Sequence, residues 1–162
     1  MTNEYTIPDG TDIGHVHLKV SDIDRALSFY HGVLGFEIMQ RMDSAAFISA
    51  GGYHHHIGLN TWRSKNGPRP AENATGLFHT AIRYPSRKDL AIALKRVLDA
   101  GIPLEGASDH GVSHALYMSD PDGNGVELYW DKPKDVWPKD KAGYLDMKTT
   151  RLDVDALLAE AD

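Results

Sequence analysis

GHVHLKVSDIDRALSFYHGVLGF, residues 14–36, reads as a strand feeding an amphipathic helix. The apolar run Ile13 to Val20 alternates and predicts the strand. Ser21-Asp22 opens the helix, and Ala26, Leu27, Phe29, Tyr30, Val33 and Leu34 recur at helical spacing. Gly35 is the expected left-handed stop. Three strands are expected next, over Phe36–Arg41, Ala45–Ser49 and Tyr53–Trp62, with Gly51-Gly52 as a tight turn between the last two.

The same order recurs downstream. Leu77–Tyr84 predicts a strand, and Ser86-Arg87-Lys88-Asp89 has N-cap form. Leu90, Ile92, Ala93, Leu94, Val97 and Leu98 supply a second buried stripe, and Gly101 stops it. Strands are expected at Pro103–Glu105, His114–Ser119 and Gly125–Trp130, with the turn-rich Asp120-Pro121-Asp122-Gly123-Asn124-Gly125 between the last two. The order β-α-β-β-β thus occurs twice, offset by 64 residues from His15 to His79. The expected class is α+β: two tandem βαβββ modules forming a cleft between curved mixed sheets. Residues 1–162 are expected to be a single domain. Within it, 12–62 form the first module, 63–75 a polar linker, 76–131 the second module and 132–162 a C-terminal extension outside the repeat. That extension holds a short helical stretch, Asp153–Ala161, and is expected to pack on a sheet edge or on a second chain through Trp137.

Composition narrows the chemistry. Hydrophobic residues make up 41% and the net charge is -6, with no basic block, so neither nucleic acid nor a membrane is an expected partner. No stretch is long and apolar enough for a transmembrane helix, and the first dozen residues are polar without signal-peptide form, so the expected location is cytoplasmic. Cysteine is absent, which excludes thiolate ligands, iron–sulfur clusters and thiol nucleophiles. Nine histidines remain as the main metal donors.

His15, His79 and Glu127 fall at matching ends of three short apolar segments. Each alone fits a structural role. A carboxylate in an apolar strand, however, needs a cation, a strong donor or water. Two imidazoles and one carboxylate leave open positions on a divalent ion, an arrangement suited to non-haem Fe(II) oxygen chemistry. The run His54-His55-His56 precedes Gly58. Alternation along a strand would set His54 and His56 on the side of position 58, and His55 opposite.

The double βαβββ pattern and the 14–36 segment resemble the vicinal oxygen chelate superfamily, which includes glyoxalase I, fosfomycin and bleomycin resistance proteins and extradiol dioxygenases. The resemblance covers roughly residues 12–131. It implies metal ligands at His15, His79 and Glu127, and at position 58, where glyoxalase I-like members carry a fourth ligand, usually Glu. Here Gly58 has no donor; its bland reading is close packing within the strand. The spacing His110-x5-Leu116-Tyr117-x2-Asp120-Pro121-x-Gly123-x3-Glu127 is similar to the extradiol dioxygenase signature, departing at Ser108. The resemblance implies that Tyr117 hydrogen-bonds a substrate oxygen and that His110 contacts ring substituents or bound oxygen. It also aligns the acid–base histidine with His55, against strand alternation, and His56 is the second choice.

The implied function is an extradiol ring-cleaving dioxygenase acting on a small catechol-like aromatic diol with O₂ and Fe(II), or Mn(II) as a substitute. Phe47, Trp62, Phe78 and Tyr129 are expected to line the pocket. Two alternatives differ in class. One is a glyoxalase-type metal-dependent isomerase or lyase, epimerase or glutathione transferase, which would need a fourth ligand such as His56 or His17. The other is a non-catalytic small-molecule-binding resistance protein. All three ligands lie in one chain with a linker long enough for pairing within it, and a homodimer is expected, a swapped one being an alternative.

Overall fold

The computed structural model describes residues 5–162 of the chain, so the first four residues of the polar leading stretch lie outside it. Strand β1 (Val16–Lys19) leads into α1 (Ile23–Leu27), whose cap Asp22 accepts a hydrogen bond from the Arg25 amide at 2.7 Å. The helix continues as a π-helical segment over Ser28–Val33, where the Leu34 amide donates to the Phe29 carbonyl at 3.0 Å. β2 (Glu37–Arg41), β3 (Ala45–Ser49) and β4 (Ile57–Asn60) follow. The second unit repeats the order with β5 (Thr80–Arg83), α2 (Arg87–Asp99), β6 (Gly106–Asp109), β7 (Ser113–Ser119) and β8 (Gly125–Asp131).

Each unit forms its own mixed sheet, ordered β1-β4-β3-β2 and β5-β8-β7-β6, and the two do not close into one barrel. In both, the first and last strands pair in parallel and the remaining pairs are antiparallel. This is the α+β architecture expected from the repeat. Alternation along each strand separates two faces. Leu18, Ile48, Ile57 and Leu59 of the first sheet and Leu116, Met118, Val126 and Leu128 of the second join Leu27, Phe29, Tyr30, Leu90, Leu94 and Val97 of the helices in one continuous core. Each fully buried Leu or Ile contributes roughly 1.5–3 kcal/mol by leaving water. The opposite faces, which carry His17 and Glu127, have no helix over them.

A polar clasp fixes the two units relative to each other. Buried Asp120 accepts from the Tyr30 hydroxyl (3.0 Å), from the Asp122 and Asn124 amides (2.9 and 2.8 Å) and from the Asn124 side chain (2.9 Å). Asp122 accepts from the Ser21 amide at 3.0 Å and pairs with Arg25. Burial, together with the Asp120 and Asp122 carboxylates, pushes the Tyr30 hydroxyl pKa far up, so it remains a donor. Arg96 of α2 adds bonds to the Val33 and Gly32 carbonyls, at 2.7 and 2.9 Å.

Several boundaries differ from the sequence reading. The first strand begins at Val16, so His15 stands one residue ahead of it. The strand expected over Tyr53–Trp62 is shorter: Gly51 and Gly52 both take positive φ, and the chain re-enters the ladder only when the His56 amide reaches the Ile48 carbonyl at 2.9 Å. The strand expected at Pro103–Glu105 lies at Gly106–Asp109, because Pro103 has no amide to donate and pairing starts with the Glu105 amide on the Tyr117 carbonyl at 2.8 Å. On α2, Ile92 and Leu98 are exposed while Ala91 is buried, so the buried stripe is Leu90, Ala91, Ala93, Leu94 and Val97.

The extension packs on its own chain. β9 (Thr150–Arg151) adds to the β6 edge, and the Trp137 indole donates to the Lys132 carbonyl at 2.8 Å. α3 (Val154–Leu158), capped by Asp153, lies against α2, where Arg87 pairs with Glu160. Among the described residues no helix is long and apolar enough to cross a membrane.

Candidate functional site

The uncovered face of the second sheet carries one half of the expected site. Glu127 on β8 sits between its register partners Ala81 on β5 and Tyr117 on β7. His79, one residue ahead of β5, reaches Glu127 with Nε2 at 2.8 Å from Oε2. Gly125 permits this approach: a Cβ there would stand 2.1 Å from the Phe78 carbonyl oxygen and 3.2 Å from His79 Cα. The other ring nitrogen, His79 Nδ1, is buried without a hydrogen-bond partner among the described residues.

Tyr117 and His110 complete this half. His110 lies in the turn between β6 and β7, and its Nδ1 donates to the Lys148 carbonyl at 3.1 Å. That bond leaves Nε2 as the lone-pair nitrogen, an assignment inferred from the network. The Tyr117 hydroxyl therefore donates to His110 Nε2 at 2.7 Å, with Glu127 Oε1 a longer second acceptor at 3.4 Å. Burial, then the Glu127 carboxylate, pushes the Tyr117 hydroxyl up to about 12. Lys148 belongs to the extension, and its backbone role was invisible in the sequence.

The uncovered face of the first sheet carries the other half. His15 touches the His55 ring, with centroids 4.4 Å apart, and His55 also meets Phe47 at 5.1 Å. The histidine run is not a strand, so the alternation argument does not apply to it. His54 stacks on Tyr53 (4.0 Å), and His56 is tied into the turn by Ser49 Oγ and the Ala50 amide at 3.1 and 3.3 Å. Of the three, His55 is the one whose ring touches His15. Burial and then the neighbouring imidazoles of His15, His54, His17 and His56 hold the His55 pKa below its ordinary value.

Position 58 has a physical explanation. His17 on β1 is the register partner of Gly58, and a Cβ on Gly58 would lie 2.9 Å from the His17 ring. That ring, which also packs near Trp62 (5.2 Å) and Phe47 (5.9 Å), fills the space a fourth ligand would need.

The chain does not bring the expected triad together. His79 and Glu127 meet, while His15 lies with His55. Among the described residues, no group of three or more His, Asp or Glu side chains is close enough to hold one ion. A groove of about 1460 Å³ runs past the linker, lined by His17, Lys19, Phe78, His79, Tyr117 and Ser119 among others. Of the four aromatic residues expected in the pocket, Phe78 borders this groove, Phe47 and Trp62 flank His17, and Tyr129 follows Glu127 on the same face of β8.

The profile of the Glyoxalase/Bleomycin resistance protein/Dioxygenase superfamily matches residues 12–128. A catechol-2,3-dioxygenase of Bacillus subtilis (strain 168) is 42% identical over 156 residues, covering 96% of this chain and 54% of the relative. Biphenyl-2,3-diol 1,2-dioxygenase 3 of Rhodococcus globerulus is 30% identical over 119 residues, covering 74% of this chain and 63% of the relative. The chain thus spans between about half and two thirds of the length of these two curated relatives. A lactoylglutathione lyase crystal structure from Agrobacterium tumefaciens superposes with a TM-score of 0.59 at 24% identity, covering 76% of this chain and 96% of that one, and shares the fold.

Proposed function

We infer the reaction from one premise: the chain belongs to the Glyoxalase/Bleomycin resistance protein/Dioxygenase superfamily. Within it, we read the protein as an extradiol dioxygenase that opens the ring of a small catechol-like aromatic diol. The cofactor is Fe(II), with Mn(II) as a substitute, and O₂ is the co-substrate. The observation that carries this reading is the convergence of His79, Glu127, Tyr117 and His110 on one uncovered sheet face. The likeness to a catechol-2,3-dioxygenase and a biphenyl-2,3-diol 1,2-dioxygenase, both named for aromatic diols, supports it.

The donor atoms fit such a cofactor. An imidazole nitrogen and a carboxylate oxygen stand 2.8 Å apart, and a nitrogen–oxygen donor set suits a first-row divalent ion. His79 and Glu127 would hold it; His15, the third ligand the resemblance implies, stands with His55 in this structure. Bound there, Fe(II) would supply attachment for both diol oxygens, a lowering of their pKa values and a neighbouring position for O₂.

The chain's own residues do the rest. The Tyr117 hydroxyl is protonated at neutral pH and donates to His110, so its oxygen accepts a hydrogen bond from a substrate hydroxyl. His110 orients that hydroxyl, and Lys148 orients His110. His55, whose pKa is held below its ordinary value, would accept a proton from a diol hydroxyl and later return it to an oxygen of the product. Both oxygen atoms enter the product when the bond beside the two hydroxyl-bearing carbons opens, so no external reductant is consumed. A glyoxalase-type isomerase would need a fourth protein ligand; Gly58 has no donor, and the His17 ring that fills the space beside it is the side chain that could serve.

Anaerobic reconstitution with Fe(II), followed by a catechol panel in air, tests the reading. A yellow ring-opened product is expected. Stoichiometric iron without ring opening of any diol overturns the dioxygenase assignment, and isolation with zinc or nickel favours the isomerase.

A further inference from the structure

We propose that Asp109 is a positioning residue for the reaction: its carboxylate closes a turn around His110 and so sets the imidazole that holds the Tyr117 hydroxyl. This rests on the dioxygenase reading above and adds what keeps His110 in place.

Asp109 ends β6, and His110 begins the turn into β7. Asp109 Oδ1 accepts from the Gly111 amide at 2.8 Å, so the bond spans His110 as an Asx turn. Gly111 stands at φ +78°, in the left-handed region, which lets the chain reverse there. The main chain of His110 is tied on both sides as well. Its amide donates to the Ser113 carbonyl at 2.9 Å, and its carbonyl accepts from the Lys148 amide at 3.1 Å. Thr150, the register partner of Asp109 across the β6–β9 edge, donates from its hydroxyl to the Asp109 carbonyl at 3.2 Å. With the backbone fixed, only the torsions of the His110 side chain remain. The bonds to the Lys148 carbonyl and the Tyr117 hydroxyl then choose one ring orientation.

The carboxylate is itself held. Lys132, directly after β8, donates from Nζ to Oδ1 and Oδ2 at 2.7 and 2.9 Å, and His114 Nε2 stands 3.3 Å from Oδ2. Burial opposes charge on Asp109, yet the Lys132 bonds, the Gly111 amide and the Lys132 charge keep its pKa below the ordinary value. Oδ1 therefore stays an acceptor at neutral pH. The influence of this charged group on the site runs through the turn and the imidazole, not through contact with substrate.

A double-variant cycle tests this. Asp109→Ala removes the acceptor of the turn and is expected to lower kcat about 10²-fold, with KM changed less than about threefold, since a displaced ring costs rate more than binding. Asp109→Asn keeps an oxygen for the Gly111 amide and should lose less than about tenfold. In a His110→Asn background, Asp109→Ala should cost nothing further, because its effect travels through the imidazole. Nitrogen-15 NMR of the His110 ring should show the proton on Nδ1 in the wild type and in Asp109→Asn, and averaged tautomers in Asp109→Ala. Circular dichroism on each variant verifies folding. Should Asp109→Ala fail to fold, Asp109→Leu, which keeps the branched shape without an acceptor, replaces it. Wild-type kcat in Asp109→Ala, or an equal loss with and without His110, overturns the proposal. Equal losses in Asp109→Asn and Asp109→Ala overturn it too. A wild-type protein that opens no diol overturns the dioxygenase reading; the ring spectrum then decides on Asp109 alone, and an unchanged tautomer in Asp109→Ala rejects its positioning role.

Discussion

The two βαβββ units share a strand plan and spend their bulk in opposite places. In the first, the leading strand carries a large ring and the closing strand carries none: His17 lies over Gly58. In the second the order is reversed: Ala81 is small and its register partner Glu127 is large. At His17–Gly58 the competition is direct: a Cβ on Gly58 would lie 2.9 Å from the His17 ring. The difference teaches that duplication supplied two equivalent places for a carboxylate and that packing filled only one of them.

The strongest way to break this comparison is to erase the second unit's share. Glu127→Ala should abolish stoichiometric iron binding, measured by metal analysis. Stability to urea should shift by no more than about 0.5 kcal/mol, since the open face adds little to the core. A large loss of stability would mean that this face is structural. The covered side should respond in the opposite sense. Asp120→Ala leaves the buried Tyr30 hydroxyl and two amides without their acceptor and should cost about 3 kcal/mol in urea unfolding, while Tyr30→Phe should cost about 1 kcal/mol. Equal costs for the two would refute the clasp's arrangement.

Gly58→Glu sharpens the contrast directly. Alone it should destabilise by about 1–3 kcal/mol through overpacking against His17. Adding His17→Ala transplants the second unit's small-and-large pair into the first and should restore most of the loss; a double variant no more stable than the single one rejects the competition for volume. The smallest effect concerns His114, on the covered side of β7. Its pKa is lowered, first by burial and then by the Lys132 and Arg87 charges, against the opposing pull of Asp109. Arg87 Nε donates to His114 Nδ1 at 3.1 Å, and Asp109 lies 3.3 Å from Nε2, so the fold holds a neutral ring. A lowered histidine favours the folded state above the ordinary value of 6.5, and that contribution fades as pH falls below 6.5. The urea midpoint should drop over that range in the wild type and less in His114→Gln, with Glu160 and Asp109 left in place.

The repeat was legible because periods of 2 and 3.6 are written locally, as were the two glycine stops, Gly35 and Gly101, both found at positive φ. Residues 54–56 misled because a histidine run next to a strand reads as strand, whereas the two-glycine turn consumes residues before pairing resumes. The contest between His17 and Gly58 needs strand register, which no local pattern prints. Asp120 and Asp122 read as turn residues, and their partners Tyr30 and Ser21 lie 90 and 101 positions away. The division of the ligands into two separate halves depends on how the units dock, a property of packed surfaces and not of motifs.

The bond from His110 to the Lys148 carbonyl gives the segment after β8 an unusual kind of constraint. A main-chain oxygen is present whichever residue occupies 148, so exchange of that side chain should be nearly silent. Lengthening or shortening the segment between Trp137 and Thr150 by a single residue would slide the carbonyl out of reach and free the imidazole to turn over. In related chains, this stretch should therefore vary freely in spelling while holding its length.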